Sequence, residues 1–416
     1  MSIITESLHT ARFADRADGY HPSPVREVFE VSMRPNMISL AGGNPDLTGL
    51  PLDRIAEMAR HIIKDRGEEA LQYGSGAGTP ELQELVCQIM ALEGISAQPE
   101  NVQITSGSQM ALELVTKLFC NPGDVVLAEG PTYVGALGTF EGLQADVVQV
   151  PIDELGLIPS GLQDAIGALK AQGRTIKFLY TIPNFNNPSG ISLAAERRPE
   201  IVAICRTEGI AIVEDNPYGL LSFDGSAQAA LHSLDPDNVF YLGSFSKIFS
   251  PGLRIGWVLA PTEVRKRLQL AAEATTICPS VLSQMLVQSY ISGFDWRAHV
   301  RDACSTYARR CAAVMDALEV HMPQGSSWTR PAGGFFTWVA LPAGRSVDAL
   351  LQPAIDAGVV FVPGSAFFAE PAGANLLRVA FSFETEKTLV EGIRRLGAAA
   401  AALPPAPSSS KGEDLA

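Results

Sequence analysis

Between about residues 100 and 260, short apolar runs rich in β-branched residues alternate with stretches of helical periodicity. A strand followed by a helix and a further strand is typical of a doubly wound sheet with parallel strands. The predicted strands are the runs VQIT, VVLAEG, ADVVQV, IKFLYTIP, IAIVED, NVFYLGS and IGWVLAP. We therefore predict an α/β fold in which ligands bind beyond the carboxyl ends of the strands.

The length and composition of the chain indicate two folded domains. With 416 residues, 46% of them hydrophobic and 18% charged, it is too long for one ordinary domain and too apolar to be disordered. After Pro261 the sequence is helical and charged, with a break near Pro279, and residues 325–400 mix strand-like runs with two helices. We expect an N-terminal arm that packs with the small domain, a large domain, a small α+β domain and a disordered tail. These four parts are predicted at residues 1–45, 46–285, 286–400 and 401–416.

The charge balance argues against nucleic acid and membranes as partners. Forty-five acidic residues against 31 basic ones leave a formal charge of −14, which provides no general attraction for anionic polymers or lipid. The N-terminus lacks a signal-peptide pattern, and no segment reaches the roughly 18 consecutive apolar residues of a membrane span. Six cysteines without a C-x-x-C pair favour reduced thiols and a cytoplasmic location. The six histidines lie far apart, so we predict no metal site.

A candidate anion site follows the strand VQIT. Ser106, Gly107, Ser108 and Gln109 stand where the next helix begins. Free backbone N–H groups and the helix dipole favour an anion such as phosphate at this point. A serine that merely caps the helix is the alternative interpretation, and the segment alone leaves both open.

Two further strands are followed by polar turns. Asn187 lies in the turn after IKFLYTIP, and the Asn187–Pro188 peptide bond is a candidate for the cis form. Asp215 and Tyr218 follow IAIV, where a half-buried carboxylate needs a cationic or hydrogen-bonded partner. Taken singly, the Asn187 segment is interpreted as a turn, and Asp215 is consistent with a helix N-cap as well as with a functional carboxylate.

The strongest signal is the segment between the strands NVFYL and IGWVLA. Ser244 and Ser246 shortly precede Lys247, and Arg254 stands seven positions after it. This arrangement combines an amine nucleophile with a phosphate clamp, and the nearby cation should lower the pKa of Lys247. Together with the Asp215 carboxylate, the Tyr218 phenol and a second anion site, these are the groups needed to seat pyridoxal phosphate.

The motifs Ser-x-Ser-Lys-(x)6-Arg, Asn-Pro-x-Gly and Asp-x-x-Tyr resemble those of the pyridoxal-phosphate aminotransferases of fold type I, class I/II. The resemblance extends from about residue 24 to 398 and is greatest to the branch of 2-aminoadipate, kynurenine and aromatic aminotransferases. It implies an α/β fold with a mostly parallel doubly wound sheet in the large domain and a smaller α+β domain.

The resemblance also implies roles for the cofactor-binding residues. Lys247 corresponds to the Schiff-base lysine, which also carries a proton between Cα and C4′, and Asp215 to the partner of the pyridine nitrogen. Tyr218 and Asn187 correspond to the residues that hydrogen-bond the ring oxygen O3′. The implied phosphate-binding residues are Ser108, Gln109, Ser244, Ser246 and Arg254. Tyr133 corresponds to the aromatic residue that stacks on the ring.

Substrate and subunit contacts are implied in the same way. Arg378 corresponds to the arginine that pairs with the α-carboxylate beside Asn187, and Gly43 belongs to the mobile glycine segment that closes on substrate. Arg26 stands where some members contact a distal carboxylate, although a solvated arginine is the alternative. Tyr73 corresponds to the tyrosine that reaches the phosphate of the partner subunit, so a homodimer is expected.

The implied reaction moves an amino group from an L-α-amino acid of the 2-aminoadipate, aromatic or branched-chain type to a 2-oxo acid such as 2-oxoglutarate. It is a ping-pong reaction through the Lys247 aldimine. Racemisation, decarboxylation, elimination and oxidation on the same cofactor remain alternatives, as does a regulatory binding protein. Asn186 and Asn216 replace the glutamine and aspartate that are usual in this branch, which leaves the substrate open.

Overall fold

The structure is a computed structural model that describes residues 13–22 and 24–403. Residues 1–12, Ser23 and residues 404–416 lie outside the described part. The start of the predicted arm and most of the predicted tail therefore fall outside it.

Strands make up two sheets and a two-stranded pair within the described residues. In chain order they are β1 (Ile38–Ser39), β2 (Val102–Thr105), β3 (Val125–Gly130), β4 (Asp146–Asp153), β5 (Gly156–Leu157), β6 (Ile176–Thr181), β7 (Ala211–Asp215), β8 (Val239–Ser244), β9 (Gly256–Leu259), β10 (Ser327–Trp328), β11 (Phe336–Ala340), β12 (Val359–Val360), β13 (Val362–Pro363) and β14 (Leu376–Ala380).

The large sheet confirms the predicted doubly wound, mostly parallel architecture. Its strand order is β2-β9-β8-β7-β6-β3-β4-β5, with β4, β3, β6, β7 and β8 parallel and β9 antiparallel to both of its neighbours. Val126 and Ala128 of β3 belong to one apolar cluster, and the alternate residues Val125 and Leu127 belong to another. Burial of both faces explains why the strands are continuous apolar runs in the sequence.

Helices cover the sheet and form the bridge to the small domain. In chain order they are α1 (Pro24–Ser32), α2 (Leu52–Ala70), α3 (Pro80–Met90), α4 (Ser108–Phe119), α5 (Val134–Gly142), α6 (Pro159–Ala171), α7 (Arg197–Glu208), α8 (Thr262–Thr276), α9 (Val281–Gly293), α10 (Trp296–His321), α11 (Val347–Asp356) and α12 (Glu386–Ala402). The expected break near Pro279 separates α8 from α9. Across the described residues, no helix combines the length and apolar character needed to cross a membrane.

The last helix ends two residues beyond the predicted domain limit at residue 400. The tail was expected to begin at residue 401, but α12 continues through Ala402. The run of alanines before Leu403 explains the difference, because alanine has the highest intrinsic helix propensity.

The small domain contains an antiparallel sheet in the order β10-β11-β14-β13. Strand β1 of the N-terminal segment pairs in parallel with β12, so that Ile38 lies opposite Val359. The described part of the arm thus contacts the small domain. The domain limits at residues 45, 285 and 400 stay predictions.

Close packing between two paired strands fixes the backbone just before Lys247. Gly243 on β8 lies opposite Trp257 on β9, and a Cβ atom on Gly243 would lie 2.2 Å from the indole ring. The ring of Trp257 is itself held by Phe245, at 5.1 Å between centroids, and its Nε1 donates to the sulfur of Met90 at 3.3 Å. A side chain at position 243 would have to displace this buried ring.

We expect Gly243→Ala to lower the free energy of unfolding by about 1–3 kcal/mol, because overpacking strains a close-packed interior. Gly167→Ala is the control, since Gly167 is exposed within α6 and an added Cβ would meet no atom within 4 Å. That change should stabilise the protein by about 0.5–1 kcal/mol. Urea unfolding of the two variants tests the difference, and equal midpoints would contradict the packing argument.

Candidate active site

A cavity of about 260 Å³ lies at the carboxyl ends of the strands, between the large sheet and the small domain. Its position agrees with the expectation for an open α/β sheet. Twelve of the predicted site residues line it: Gly43, Ser108, Gln109, Tyr133, Asn187, Asp215, Tyr218, Ser244, Ser246, Lys247, Arg254 and Arg378.

Lys247 follows β8 and its side chain lines the cavity. Its Nζ donates to the carbonyl oxygen of Gly43 at 2.9 Å and lies 5.5 Å from the centroid of the Phe335 ring. Burial lowers the pKa of Lys247 to about 8, and the charges of Arg378 and Arg254 lower it further in the same direction. The predicted lowering is confirmed, although burial contributes more than the neighbouring cations. The lowered pKa therefore increases the fraction of the amine that is neutral, and nucleophilic, near neutral pH.

Asp215 is the last residue of β7 and is buried. Its Oδ2 accepts a hydrogen bond from the Tyr180 hydroxyl at 2.7 Å, whereas its Oδ1 is buried with no hydrogen-bond partner. Burial raises the pKa of Asp215 to about 6, and the Tyr180 hydrogen bond opposes this rise. The carboxylate thus has one unsatisfied acceptor, which is suited to a positively charged N–H donor.

The two predicted anion sites meet at one end of the cavity. The N-cap of α4 is Gly107, no side chain caps the helix, and its first N–H groups lie beside Ser108 and the cavity. The guanidinium of Arg254 crosses this point so closely that a Cβ atom on Gly107 would lie 2.2 Å from its Nη2. The interpretation of this segment as a plain serine N-cap is therefore wrong, because glycine occupies the cap position.

The two serines before Lys247 complete the same end of the cavity. The Ser244 hydroxyl accepts from the backbone N–H of Ser246 at 3.0 Å, and the two hydroxyl oxygens are 2.9 Å apart. Arg254 has a φ angle of 52°, a left-handed backbone that few non-glycine residues adopt. This conformation turns its side chain back toward Ser246, whose hydroxyl accepts from Nη1 at 3.4 Å.

At the opposite side of the cavity, Arg378 lies among aromatic rings. Its guanidinium carbon is 4.2 Å from the centroid of Phe336 and 5.0 Å from that of Phe367. Nη1 donates to Asn187 Oδ1 at 2.7 Å and Nη2 to the carbonyl of Ala41 at 2.6 Å, while Nε is buried without a partner. Burial lowers the pKa of Arg378 to about 10. An incoming carboxylate would satisfy the free donor and offset the loss of hydration.

The glycine segment lies directly over the cavity. A Cβ atom on Gly43 would lie 2.5 Å from the ring of Phe336, so the segment can reach Lys247 only because this residue has no side chain. The expected closing segment is thus found in contact with two functional side chains, the amine of Lys247 and, through Ala41, the guanidinium of Arg378.

Two predicted residues do not line the cavity. The side chain of Arg26 is 76% exposed, and its Nε lies 3.7 Å from Glu30, one turn further along α1. Tyr73 follows α2 and is 73% exposed. Within this single chain, neither contributes to the site.

Sequence reasoning missed several contributors. Tyr180 supports Asp215, and Phe336 and Phe367 surround Arg378. Each lies in an ordinary apolar run of the sequence. Only the packing of the strands and domains shows which functional side chain it contacts. Alternation along β6 would have indicated which of its faces Tyr180 shares, but not its bond to Asp215.

The cavity fits the pyridoxal phosphate that the resemblance implies. The unpaired Oδ1 of Asp215 suits a protonated ring nitrogen, and the uncapped start of α4 with Arg254 suits a phosphate. Lys247 lines the same cavity with an amine of lowered pKa. Among residues 13–22 and 24–403, no group of three or more histidine, cysteine, aspartate or glutamate side chains could hold a metal ion.

The sequence of this chain is similar to those of known aminotransferases. The family profile described as aminotransferase class I and II matches residues 35–396. Aromatic-amino-acid aminotransferase 1 of Thermococcus litoralis is 36% identical over 386 residues, which cover 92% of this chain and 93% of the relative. The 2-aminoadipate transaminase of Thermus thermophilus is 35% identical over 392 residues, covering 93% and 96% of the two chains.

Solved structures agree with the fold. The kynurenine aminotransferase of Pyrococcus horikoshii, crystallised in complex with PMP, KYN as substrates and KYA as products, has a TM-score of 0.90. It is 35% identical in sequence, and the match covers 95% of this chain and 98% of that chain. Because the profile spans most of the chain and the relatives match nearly end to end, this chain belongs to the class I and II aminotransferases.

Proposed function

We propose that this chain is a pyridoxal-phosphate-dependent aminotransferase that moves an amino group from an L-α-amino acid to a 2-oxo acid such as 2-oxoglutarate. One observation carries the proposal. A lysine amine, a carboxylate with an unpaired oxygen, a helix start with an arginine, and a second buried arginine all face one cavity. The reaction follows a ping-pong course, in which the donor product leaves before the acceptor binds.

The residues would hold the cofactor at both of its ends. Ser108, Gln109, Ser244, Ser246 and Arg254 would contact the phosphate, and Asp215 the ring nitrogen. Tyr133 would stack on the ring, and Tyr218 with Asn187 would donate to its oxygen. When bound, pyridoxal phosphate supplies a positively charged ring that withdraws electrons from the substrate Cα.

Lys247 has two tasks in this proposal. Its neutral amine would be the nucleophile that holds the cofactor, and burial beside Arg254 and Arg378 favours that neutral form. Nζ would also be the group that takes the proton from the substrate Cα and carries it during the transfer. The carbonyl of Gly43, 2.9 Å from Nζ, would orient the amine for this transfer.

Arg378 would bind the α-carboxylate of the substrate. Its contact with Asn187 and its position on the Phe336 ring restrict its rotation, which favours a planar, two-pronged hydrogen bond. The glycine segment above it would exclude water from the reacting atoms.

For the substrate side chain we propose the 2-aminoadipate, aromatic or branched-chain type. Val25, Leu112 and Ile182 line the cavity and offer apolar contact. Arg26 lies one residue from Val25 on α1, and a shift of this helix would be needed for it to meet a distal carboxylate. The relatives named for aromatic amino acids and for 2-aminoadipate support the same range.

We also propose a homodimer in which Tyr73 reaches the phosphate of the partner subunit. Leu71, Tyr73 and Ile277 are exposed by 69%, 73% and 54%. The segments that carry them are neighbours, because the N–H of Gly74 donates to the sulfur of Cys278 at 3.4 Å. An apolar patch of this kind is typical of an interface. The six unpaired cysteines support a cytoplasmic location.

The half-reaction tests the function. Mixing the holoenzyme with a panel of acidic, aromatic and branched amino acids should convert the cofactor absorbance from its aldehyde form to its amine form, and a 2-oxo acid should reverse the change. Lys247→Ala should lose more than about 1,000-fold in rate, since it lacks both nucleophile and proton carrier, while retaining weak cofactor binding.

Lys247→Arg is the matched control, because it keeps a cation but offers no neutral amine. We expect it to be as inactive as Lys247→Ala. Product formed in excess of one equivalent per active site without any 2-oxo acid would contradict transamination and favour another outcome on the same cofactor. Substantial turnover by either variant would remove Lys247 from the central role.

Asp215→Asn should reduce the turnover rate by about 100-fold or more while the cofactor stays bound, because a neutral amide cannot stabilise a positive ring nitrogen. Tyr180→Phe is the comparison, since it removes the hydrogen bond to Asp215 Oδ2 and leaves the charge. Single-turnover absorbance measurements should show a much smaller loss for Tyr180→Phe. Equal losses in the two variants would contradict a charge-specific role for Asp215.

Subunit mixing tests the shared site. Tyr73→Ala should bind the cofactor more weakly, and Lys247→Ala should be inactive. If Tyr73 serves the site of the partner, a mixed dimer of the two variants contains one site with both residues intact. Activity at limiting cofactor should therefore rise above that of either variant alone after mixing and refolding. No gain from a mixture shown to contain mixed dimers would contradict the shared site.

A further inference from the structure

A buried carboxylate outside the cavity is tied to the loop that carries Asn187. Glu129 lies near the end of β3, is 2% exposed, and is not among the residues that line the cavity. Its Oε1 accepts from the Thr181 hydroxyl at 2.8 Å, and its Oε2 accepts from the backbone N–H of Ile182 at 2.9 Å and from Asn186 Nδ2 at 2.7 Å. Three hydrogen bonds therefore join β3 to the end of β6 and to the loop that follows it.

Asn186 is the centre of that loop. Besides its bond to Glu129, its Oδ1 accepts from both the N–H and the hydroxyl of Ser189, at 3.2 and 3.0 Å. Its backbone N–H donates to Ile191 and its carbonyl accepts from Gly190. The orientation of the Asn186 amide is thus determined from both sides, and of these hydrogen bonds the one to Glu129 reaches the sheet.

The next residue, Asn187, contacts two of the proposed functional side chains. Asn187 Oδ1 accepts from Arg378 Nη1 at 2.7 Å, and a hydrogen bond between Asn187 and Tyr218 lowers the otherwise raised pKa of the Tyr218 phenol. Asn187 therefore stands between the arginine proposed for the α-carboxylate and the phenol proposed for the ring oxygen. A rotation of the backbone at Asn186 would move both contacts together.

We propose that Glu129 is a positioning residue for the reaction: through Asn186 it holds Asn187 where that residue can engage both Arg378 and the cofactor ring oxygen. The proposal rests on the proposed function of the cavity. A carboxylate suits the position because the three groups facing it are all donors. Burial without a cation raises the pKa of Glu129 to about 7, and the hydrogen bonds from Ile182, Thr181 and Asn186 oppose that rise.

Glu129→Leu and Asn186→Ala test the proposal in the holoenzyme. Each should reduce kcat/KM for the amino acid by about 10- to 100-fold, with KM rising more than kcat falls, because the loop that orients Arg378 is released. The midpoint of the pH titration followed by cofactor absorbance should also rise by about one pH unit, since the anionic ring oxygen loses the hydrogen bond that Asn187 would donate. The double variant should be no worse than either single variant, because both changes break the same connection.

Thr181→Val is the matched control. It removes a hydrogen bond to the same carboxylate and leaves the bond between Glu129 and Asn186 intact. It should keep kcat/KM within about threefold of the parent, the effect of a loss of under 1 kcal/mol, with an unchanged absorbance midpoint. Glu129→Gln should also stay near the parent, because its oxygen can accept from Ile182 and Asn186 while its amide donates to Thr181.

The proposal would be overturned if kcat/KM and the absorbance midpoint change no more in Glu129→Leu and Asn186→Ala than they do in Thr181→Val. If Glu129→Leu does not fold, Asn186→Ala decides the outcome by itself. If the parent enzyme transaminates no amino acid, the proposed function fails. The absorbance midpoint still tests Glu129 in that case, because it requires only bound cofactor.

Discussion

Two buried cations, Lys247 and Arg378, and the buried carboxylate of Asp215 share a small cavity with Arg254, and the low hydration of the three buried groups governs the chemistry of the site. Burial lowers the pKa values of Lys247 and Arg378 to about 8 and about 10, and raises that of Asp215 to about 6. Each shift expresses a free-energy cost of holding the charged form away from water. A ligand with a phosphate, a carboxylate and a protonated ring nitrogen would offset all of these costs together. The net charge of −14 gave no indication that this site is locally positive.

The backbone around the cavity is held by polar contacts that lie behind it. Arg310 on α10 donates to Asp46 at 2.7 Å, and the two side chains are only 10% and 14% exposed. This ion pair anchors the segment whose Gly43 carbonyl contacts Lys247. On the opposite side, Glu129 anchors the loop of Asn187. The site is thus supported from the small domain and from the sheet, as is typical of catalytic groups that must keep their geometry.

Much of the fold and of the site could be predicted because their signals are local. Continuous apolar runs reflect strands buried on both faces, and polar residues that follow such runs must collect at one edge of a parallel sheet. This is why Lys247, Asp215 and Asn187, which are distant in sequence, were expected together and line one cavity. Tyr180 and Phe336 carry no comparable signal, because an aromatic residue in an apolar run is indistinguishable from ordinary core.

The sequence by itself determined which chemical groups the protein possesses, in what order they meet the edge of the sheet, and that a lysine lies between two serines and an arginine. Only the tertiary structure decided how those groups are ionised and oriented. Gly107 rather than a serine caps α4, Asp215 keeps one oxygen unpaired, and Glu129 connects to Asn187. The reason is physical: burial and hydrogen-bond partners arise from residues far apart in the chain, so neither pKa nor orientation is encoded in any short segment.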